Sequence, residues 1–345
     1  MMGCKQDCTP RPNLESQWDL HPLHPANNSL TQSSLPPRMS PSKWQDPHPH
    51  HSRFAAVNGV KLNYLDWGDP RTGRTLIFIH GYGDNPHAFD DMAPAFTDTF
   101  RVLAYARRGH GRSEGKPPCD TATLTQDLRA LMDALHVERA SLVGWSMGGN
   151  EITSMAATHP ERVDRIVYLD AAYDWSDPLF KPALQAYPVD PNTPASALKS
   201  LDAYRAWSLS LSSRLKDVEQ IEPYIREQVT INPDCSLKLL MSPDVEGPLW
   251  ESLLADHKDY AHVKVKTLAI YSETFLDLDA GDKERQAKVR AWEQQHAIPF
   301  RNAAKARLRR ELSEVEIVTV PGSHGDFVYT ARDQVIASMH RFLGP

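Results

Sequence analysis

Cysteine is scarce in this chain: four occur in 345 residues, at Cys4, Cys8, Cys119 and Cys235, and no C-x-x-C pair is present. That pattern excludes a zinc ribbon and offers no disulfide framework. The chain therefore reads as a reduced, cytoplasmic protein without structural disulfides or a metal. Long apolar runs are missing too. No stretch approaches the roughly 18 consecutive apolar residues of a membrane-spanning helix, and the first residues lack the apolar core of a secretory signal. Positive charge is not in excess: 38 Lys and Arg stand against 44 Asp and Glu, a formal net charge of −6. This balance argues against nucleic acid or a membrane surface as partner. What is present, 41% hydrophobic and 24% charged residues, suits a globular protein with a full core.

Residues 1–51 are rich in Pro, Ser, Asn, Gln and His and show no apolar period. Such a segment buries too little surface to offset its ordering entropy and reads as a disordered tail. Its His48, His50 and His51 read as a solvated His-Pro linker in preference to a weak metal site. The folded domain is expected over 52–345. "FAAVNGVKLNYLDW" is two alternating runs hinged on Asn58-Gly59, a hairpin signature. "TLIFI", "FRVLAYA", "ASLVGW" and "VDRIVYL" are short apolar runs of buried-strand type. Asn85-Pro86 marks a helix start between the first two of these. "TLTQDLRALMDALHV" has the period of an amphipathic helix. Strands alternating with helices imply an α/β fold with a mostly parallel sheet covered on both faces. The rhythm breaks over about residues 175–262 into helical, Pro-punctuated segments, then resumes at "VKTLAIY" and "VEIVTV". The broken block reads as a helical cap inserted after the sixth strand.

"SLVGWSMGGNE" carries the pattern G-x-S-x-G after a strand and before a helix. A turn that tight lifts the Ser146 hydroxyl clear of the sheet and aims the first amides of the helix at the same point. Gly144 and Gly148 supply the room. Upstream, "IFIHGYGDN" ends a strand at His80-Gly81, and downstream "VPGSHGDF" puts His324 in the loop after the last strand.

With "RRGHGRS" (Arg107–Ser113) after the fourth strand, these motifs stand in the order found in the α/β-hydrolase superfamily, which residues from about 54 to 345 resemble. "GWSMGG" is further similar to its serine esterases and cofactor-free haloperoxidases. The resemblance implies Ser146 as nucleophile, His324 as general base, and the backbone amides of Tyr82 and Met147 as the oxyanion hole. It implies no cofactor, no metal and a small-molecule, ester-type substrate cleaved through an acyl-enzyme. Lactone or carbon–carbon cleavage, or a hydrolase-fold protein that binds a ligand with little turnover, are the alternatives. The chain departs from the family pattern at Ala106, where an acidic residue is usual, and at Phe275, where many members carry the triad acid.

The acid therefore stays open. Asp170 at the end of the sixth strand ranks first and Asp277 second, with Glu273 or Asp279 behind them. Trp145 and Tyr82 are candidates for lining the substrate pocket, although an aromatic beside a buried strand is as often core. The cap aromatics Trp175, Tyr187, Tyr204, Trp207 and Trp250 suit either an apolar lid or the cap's own packing. His80, His110 and Glu151 read as structural groups around the site. The run "KARLRRE" (Lys305–Glu311) reads as a solvated helix face.

Overall fold

A computed structural model describes residues 44–68, 73–190, 192–216 and 218–344. Its strands are β1 (His51–Val57), β2 (Val60–Asp66), β3 (Thr75–Ile79), β4 (Arg101–Tyr105), β5 (Ala140–Trp145), β6 (Val163–Leu169), β7 (Val229–Ile231), β8 (Leu237–Leu239), β9 (Lys266–Thr274) and β10 (Val315–Ser323). Eight of them form one sheet in the order β1-β2-β4-β3-β5-β6-β9-β10. β1–β2 and β2–β4 pair antiparallel; the remaining neighbours run parallel. The hairpin turns at Asn58 and Gly59, both at positive φ, as a two-residue turn between twisted strands requires.

The central strands are apolar on both faces because both are covered. In β3, Leu76 and Phe78 enter one cluster and Ile77 and Ile79 the other, the two-residue period of a pleated strand. One face packs under helix Thr121–Ala134, through Leu124, Leu128 and Leu131, and under helix Gly148–Thr158, through Ile152 and Met155. The other carries Phe89, Phe96 and Phe100, with Val335 and Met339 of helix Arg332–Leu343. Asp120 caps the first of these helices by accepting from the Thr123 amide at 2.8 Å. The Asn85-Pro86 signal marks a short 3-10 turn, Pro86–Phe89, not a longer helix.

The insertion between β6 and β9 holds helices Phe180–Gln185, Leu201–Ser210, Val218–Arg226 and Pro243–Ala255. It also contains the antiparallel pair β7–β8, which the expectation of a purely helical cap omits. Three-residue strands are too short to display a period. Residues 44–50 also depart from expectation. Asp46, His48 and His50 are partly buried against the domain, so the expected tail boundary at 51 falls too late; residues 1–43 lie outside the described residues. Cys119 is a free, buried thiol, whereas Cys235 is disulfide-bonded, so the expected absence of disulfides fails there. Widely spaced cysteines carry no pairing signal of their own. Among the described residues, no helix is long and apolar enough to cross a membrane.

Two features lock the strand ends together. Arg107 and Glu151 form an ion pair at 2.7 Å with both side chains wholly shut from solvent. Arg107 also donates to the carbonyls of His80 and Gly81, while Tyr105 donates to Glu151 at 2.8 Å. Helix Gly148–Thr158 meanwhile approaches β3 so closely that a Cβ on Gly148 would overlap the Ile79 carbonyl. Removing one partner of a buried pair strands the other, so Glu151→Ala is expected to cost about 3–5 kcal/mol of unfolding free energy. Gly148→Ala is expected to cost about 1–3 kcal/mol, because the obstacle is backbone. Denaturant midpoints of both variants test this; an unchanged midpoint in either refutes the corresponding constraint.

Candidate active site

The candidate site grows from the ends of β5, β6, β9 and β10. Ser146 follows β5 at φ +51°, a strained left-handed conformation for a residue with a side chain. A Cβ at Gly144 would stand 2.5 Å from the Gly148 carbonyl oxygen, so the turn closes only around glycine. Ser146 Oγ lies 2.8 Å from His324 Nε2, and His324 Nδ1 lies 2.7 Å from Asp170 Oδ2.

Asp170, also at positive φ (+46°), is completely buried at the end of β6. The Tyr173 hydroxyl donates to its Oδ1 at 2.7 Å and the Ser272 hydroxyl to its Oδ2 at 2.7 Å. Burial alone would raise this carboxyl. The hydrogen bond and charge of His324, the Arg301 charge and the Tyr173 hydroxyl outweigh burial and hold it below its usual range. Arg301 reaches this group from helix Ile298–Glu311 by donating to the Tyr173 hydroxyl at 3.3 Å.

Asp277 stands elsewhere: its carboxylate accepts from the Ser213 amide at 2.5 Å and hydroxyl at 2.7 Å. Asp279 pairs with Arg290 at 2.7 Å. Phe275, at the position where an acid is common, sets its ring 5.4 Å from the His324 ring. Of the two readings open for Trp145, the core one holds. It packs in the core against Phe89, and its indole N–H donates to the His324 carbonyl at 3.1 Å. That contact steadies the histidine loop from below the sheet.

Among the described residues, no hydrogen bond engages the amide of Tyr82 or of Met147. The Tyr82 ring packs 5.1 Å from Trp250 of helix Pro243–Ala255, and its hydroxyl donates to Glu246 at 3.3 Å. Trp175 meets the site from the other side, with its ring 6.3 Å from His324. The remaining cap aromatics divide: Tyr204 and Trp207 pack on each other, and Tyr187 on Trp292.

His80 and His110 lie beneath the site. His80 Nδ1 donates to the Gly81 carbonyl at 2.9 Å and its Nε2 accepts from the Arg107 amide at 3.2 Å, which fixes a neutral ring. Burial and the Arg107 charge depress both imidazoles, His110 to about 3. Arg307 breaks the expected solvated face by turning inward to Asp174 at 2.5 Å. Sequence reasoning missed Ser272, Tyr173, Arg301 and Asp84. Burial raises the Asp84 carboxyl to about 6 against the Tyr224 hydroxyl, which donates to it at 2.5 Å. Asp84 lies within the "IFIHGYGDN" run but no motif rule singles it out; the other three stand outside any motif, and only chain folding brings them to the strand ends.

The family model for the alpha/beta hydrolase fold matches residues 74–211. A serine hydrolase-like protein of Danio rerio is 36% identical over 107 residues, 30% of this chain and 32% of that protein. A non-heme chloroperoxidase of Streptomyces lividans is 36% identical over 118 residues, 33% of this chain and 42% of that protein. The chain thus spans a third to two fifths of the length of these curated relatives. The crystal structure of E-2-(acetamidomethylene)succinate hydrolase superposes with a TM-score of 0.65 at 21% identity, covering 85% of this chain and 99% of that one. Sheet order, family-model match and superposition agree: the chain has the α/β-hydrolase fold, and its residues 74–211 resemble that family in sequence.

Proposed function

We propose that this chain is a serine hydrolase that cleaves a small carboxylic ester through an acyl-enzyme. The observation that carries the reading is the unbroken relay from Ser146 Oγ through His324 to Asp170, with links of 2.8 and 2.7 Å. A serine hydroxyl is a weak nucleophile until a base takes its proton. In this reading His324 Nε2 takes it as Oγ attacks the carbonyl carbon, and the carbonyl π pair moves to oxygen. The Tyr82 and Met147 amides receive that oxyanion, a type of contact worth about 3–4 kcal/mol per donor. His324 then passes its proton to the departing alkoxide. In the second half-reaction the same imidazole deprotonates water, which attacks the acyl carbon and restores Ser146. Asp170 keeps Nδ1 protonated and stabilises the imidazolium without accepting its proton.

The position of Asp170 also explains how Phe275 is tolerated. The acid reaches the imidazole from β6, so the loop after β9 is free to supply an aromatic wall. The similarity to a serine hydrolase-like protein of Danio rerio supports a serine hydrolase.

Turnover of p-nitrophenyl esters of increasing chain length, paired with fluorophosphonate labelling, tests the reading. Ser146→Ala is expected to lose labelling and to reduce kcat by about a thousandfold or more, with little change in thermal midpoint. Labelling that survives this substitution refutes the nucleophile. Asp170→Asn is expected to lower kcat by about 10⁴-fold, as the analogous change does in serine proteases, whereas Asp277→Asn should leave kcat within about threefold. The reverse ranking would place the acid in the loop after β9.

A further inference from the structure

We propose that Asp46, His50, His87 and Asp90 form a binding site for one divalent cation of the zinc class, which pins the N-terminal arm to the loop after β3. Two sequence-distant segments meet here. In the run Asp46-Pro47-His48-Pro49-His50, proline favours extended backbone, and residues 46, 48 and 50 turn inward while 47 and 49 stay exposed. His87 and Asp90 come from the Pro86–Phe89 turn and the residue after it, both buried.

One ligand atom from each of the four residues lies within 4.8 Å of every other. His50 Nε2 stands 3.2 Å from Asp46 Oδ2 and 3.4 Å from Asp90 Oδ1, and His87 Nδ1 stands 3.5 Å from Asp46 Oδ2. Zinc bonds of about 2.0–2.2 Å to nitrogen and oxygen, arranged tetrahedrally, set ligand atoms about 3.3–3.5 Å apart. Those three separations match a coordination shell, and the remaining ones, all within 4.8 Å, need only a small inward shift. His50 Nε2 and Asp90 Oδ1 are shut from solvent yet make no hydrogen bond, although the His50 side chain is 4% exposed and that of Asp90 2%. Unmet polar atoms so well buried, facing one another, are what a cation would satisfy.

The surroundings fit as well. Metal-bound histidines donate their second ring N–H to a carboxylate or carbonyl, and His87 Nε2 faces Glu227 Oε1 at 3.3 Å. The second oxygen of Asp46 takes the His48 ring at 3.0 Å. Trp67 packs edge-on against His50 at 5.1 Å and closes one side. Two imidazoles and two carboxylates neutralise a dication and favour a borderline metal over calcium or magnesium, which prefer all-oxygen shells. His87 Nδ1 lies 2.7 Å from Asp90 Oδ2 in the free cluster; a ring proton held there leaves to solvent when the metal binds. The ester chemistry proposed at Ser146 involves none of these residues, so the site is structural and stands or falls independently of that reading.

The test uses the untagged full chain, stripped with a chelator and titrated with zinc chloride. One zinc per chain, a thermal midpoint raised by zinc, and intense visible bands of tetrahedral type on cobalt substitution are expected. His50→Ala and the near-isosteric Asp90→Asn should each weaken zinc binding on the order of 100-fold or more, with unchanged far-ultraviolet circular dichroism showing that they fold. His51→Ala, one residue beyond the arm and outside the cluster, should bind as the wild type does. Substoichiometric zinc in the wild-type chain, or equal affinity in wild type and His50→Ala, overturns the site.

Discussion

The tight turn at Ser146 is the constraint that the rest of the structure answers to. A residue with a side chain held at φ +51° is strained, and such strain persists only where surrounding contacts over-determine it. Here β5 is buried along its whole length, and helix Gly148–Thr158 lies against the β3 carbonyls at glycine distance. The Arg107–Glu151 pair then ties that helix to the His80-Gly81 loop across the sheet. Ser146, the Tyr82 amide and the Met147 amide, which the proposed reaction would use, are thereby held by one rigid body. Little reorganisation is needed as charge develops on a bound carbonyl.

Buried charge elsewhere in the site follows the same logic. A lone carboxylate inside a protein is costly and tends to take up a proton. Asp170 stays ionised because three side chains, from β9, the loop after β10 and the segment after β6, converge on it, with Arg301 behind them. Glu293 belongs to the same arrangement, accepting from the amides of Phe275 and Leu276 and facing Arg301 at 3.8 Å. The loop after β9 is thus fixed by a carboxylate from a distant helix, although its own position 275 carries an aromatic ring.

The cap and the arm are attached by different physics. The cap has its own apolar cluster around Leu201, Tyr204, Ile221 and Ile225, and it touches the site through aromatic rings. The described residues of the arm attach mainly through imidazoles and carboxylates, with the Trp44 ring stacked under the Arg226 guanidinium. Polar clusters of this kind depend strongly on ionisation and on cations, so the two attachments are expected to respond differently to pH and chelators.

The central sheet, the elbow and the order of Ser146 and His324 are legible in sequence because they rest on local rules. Strand period, a glycine-flanked serine and a histidine after the last strand each occupy a short window. The choice between Asp170 and Asp277 is not legible, since both are aspartates near strand ends and only the parallel register of β6 beside β9 and β10 decides which one reaches the imidazole. The same holds for Trp145, whose strand position is read correctly but whose face depends on the register of the whole sheet. It holds again for the His-Pro run at residues 46–50: its composition is that of a solvated linker, and its partners His87 and Asp90 lie about forty residues downstream. Local pattern determined which elements form and which chemistry the motifs carry. Tertiary structure alone decided which charged groups meet, because charges find their partners through space and leave no period in the sequence.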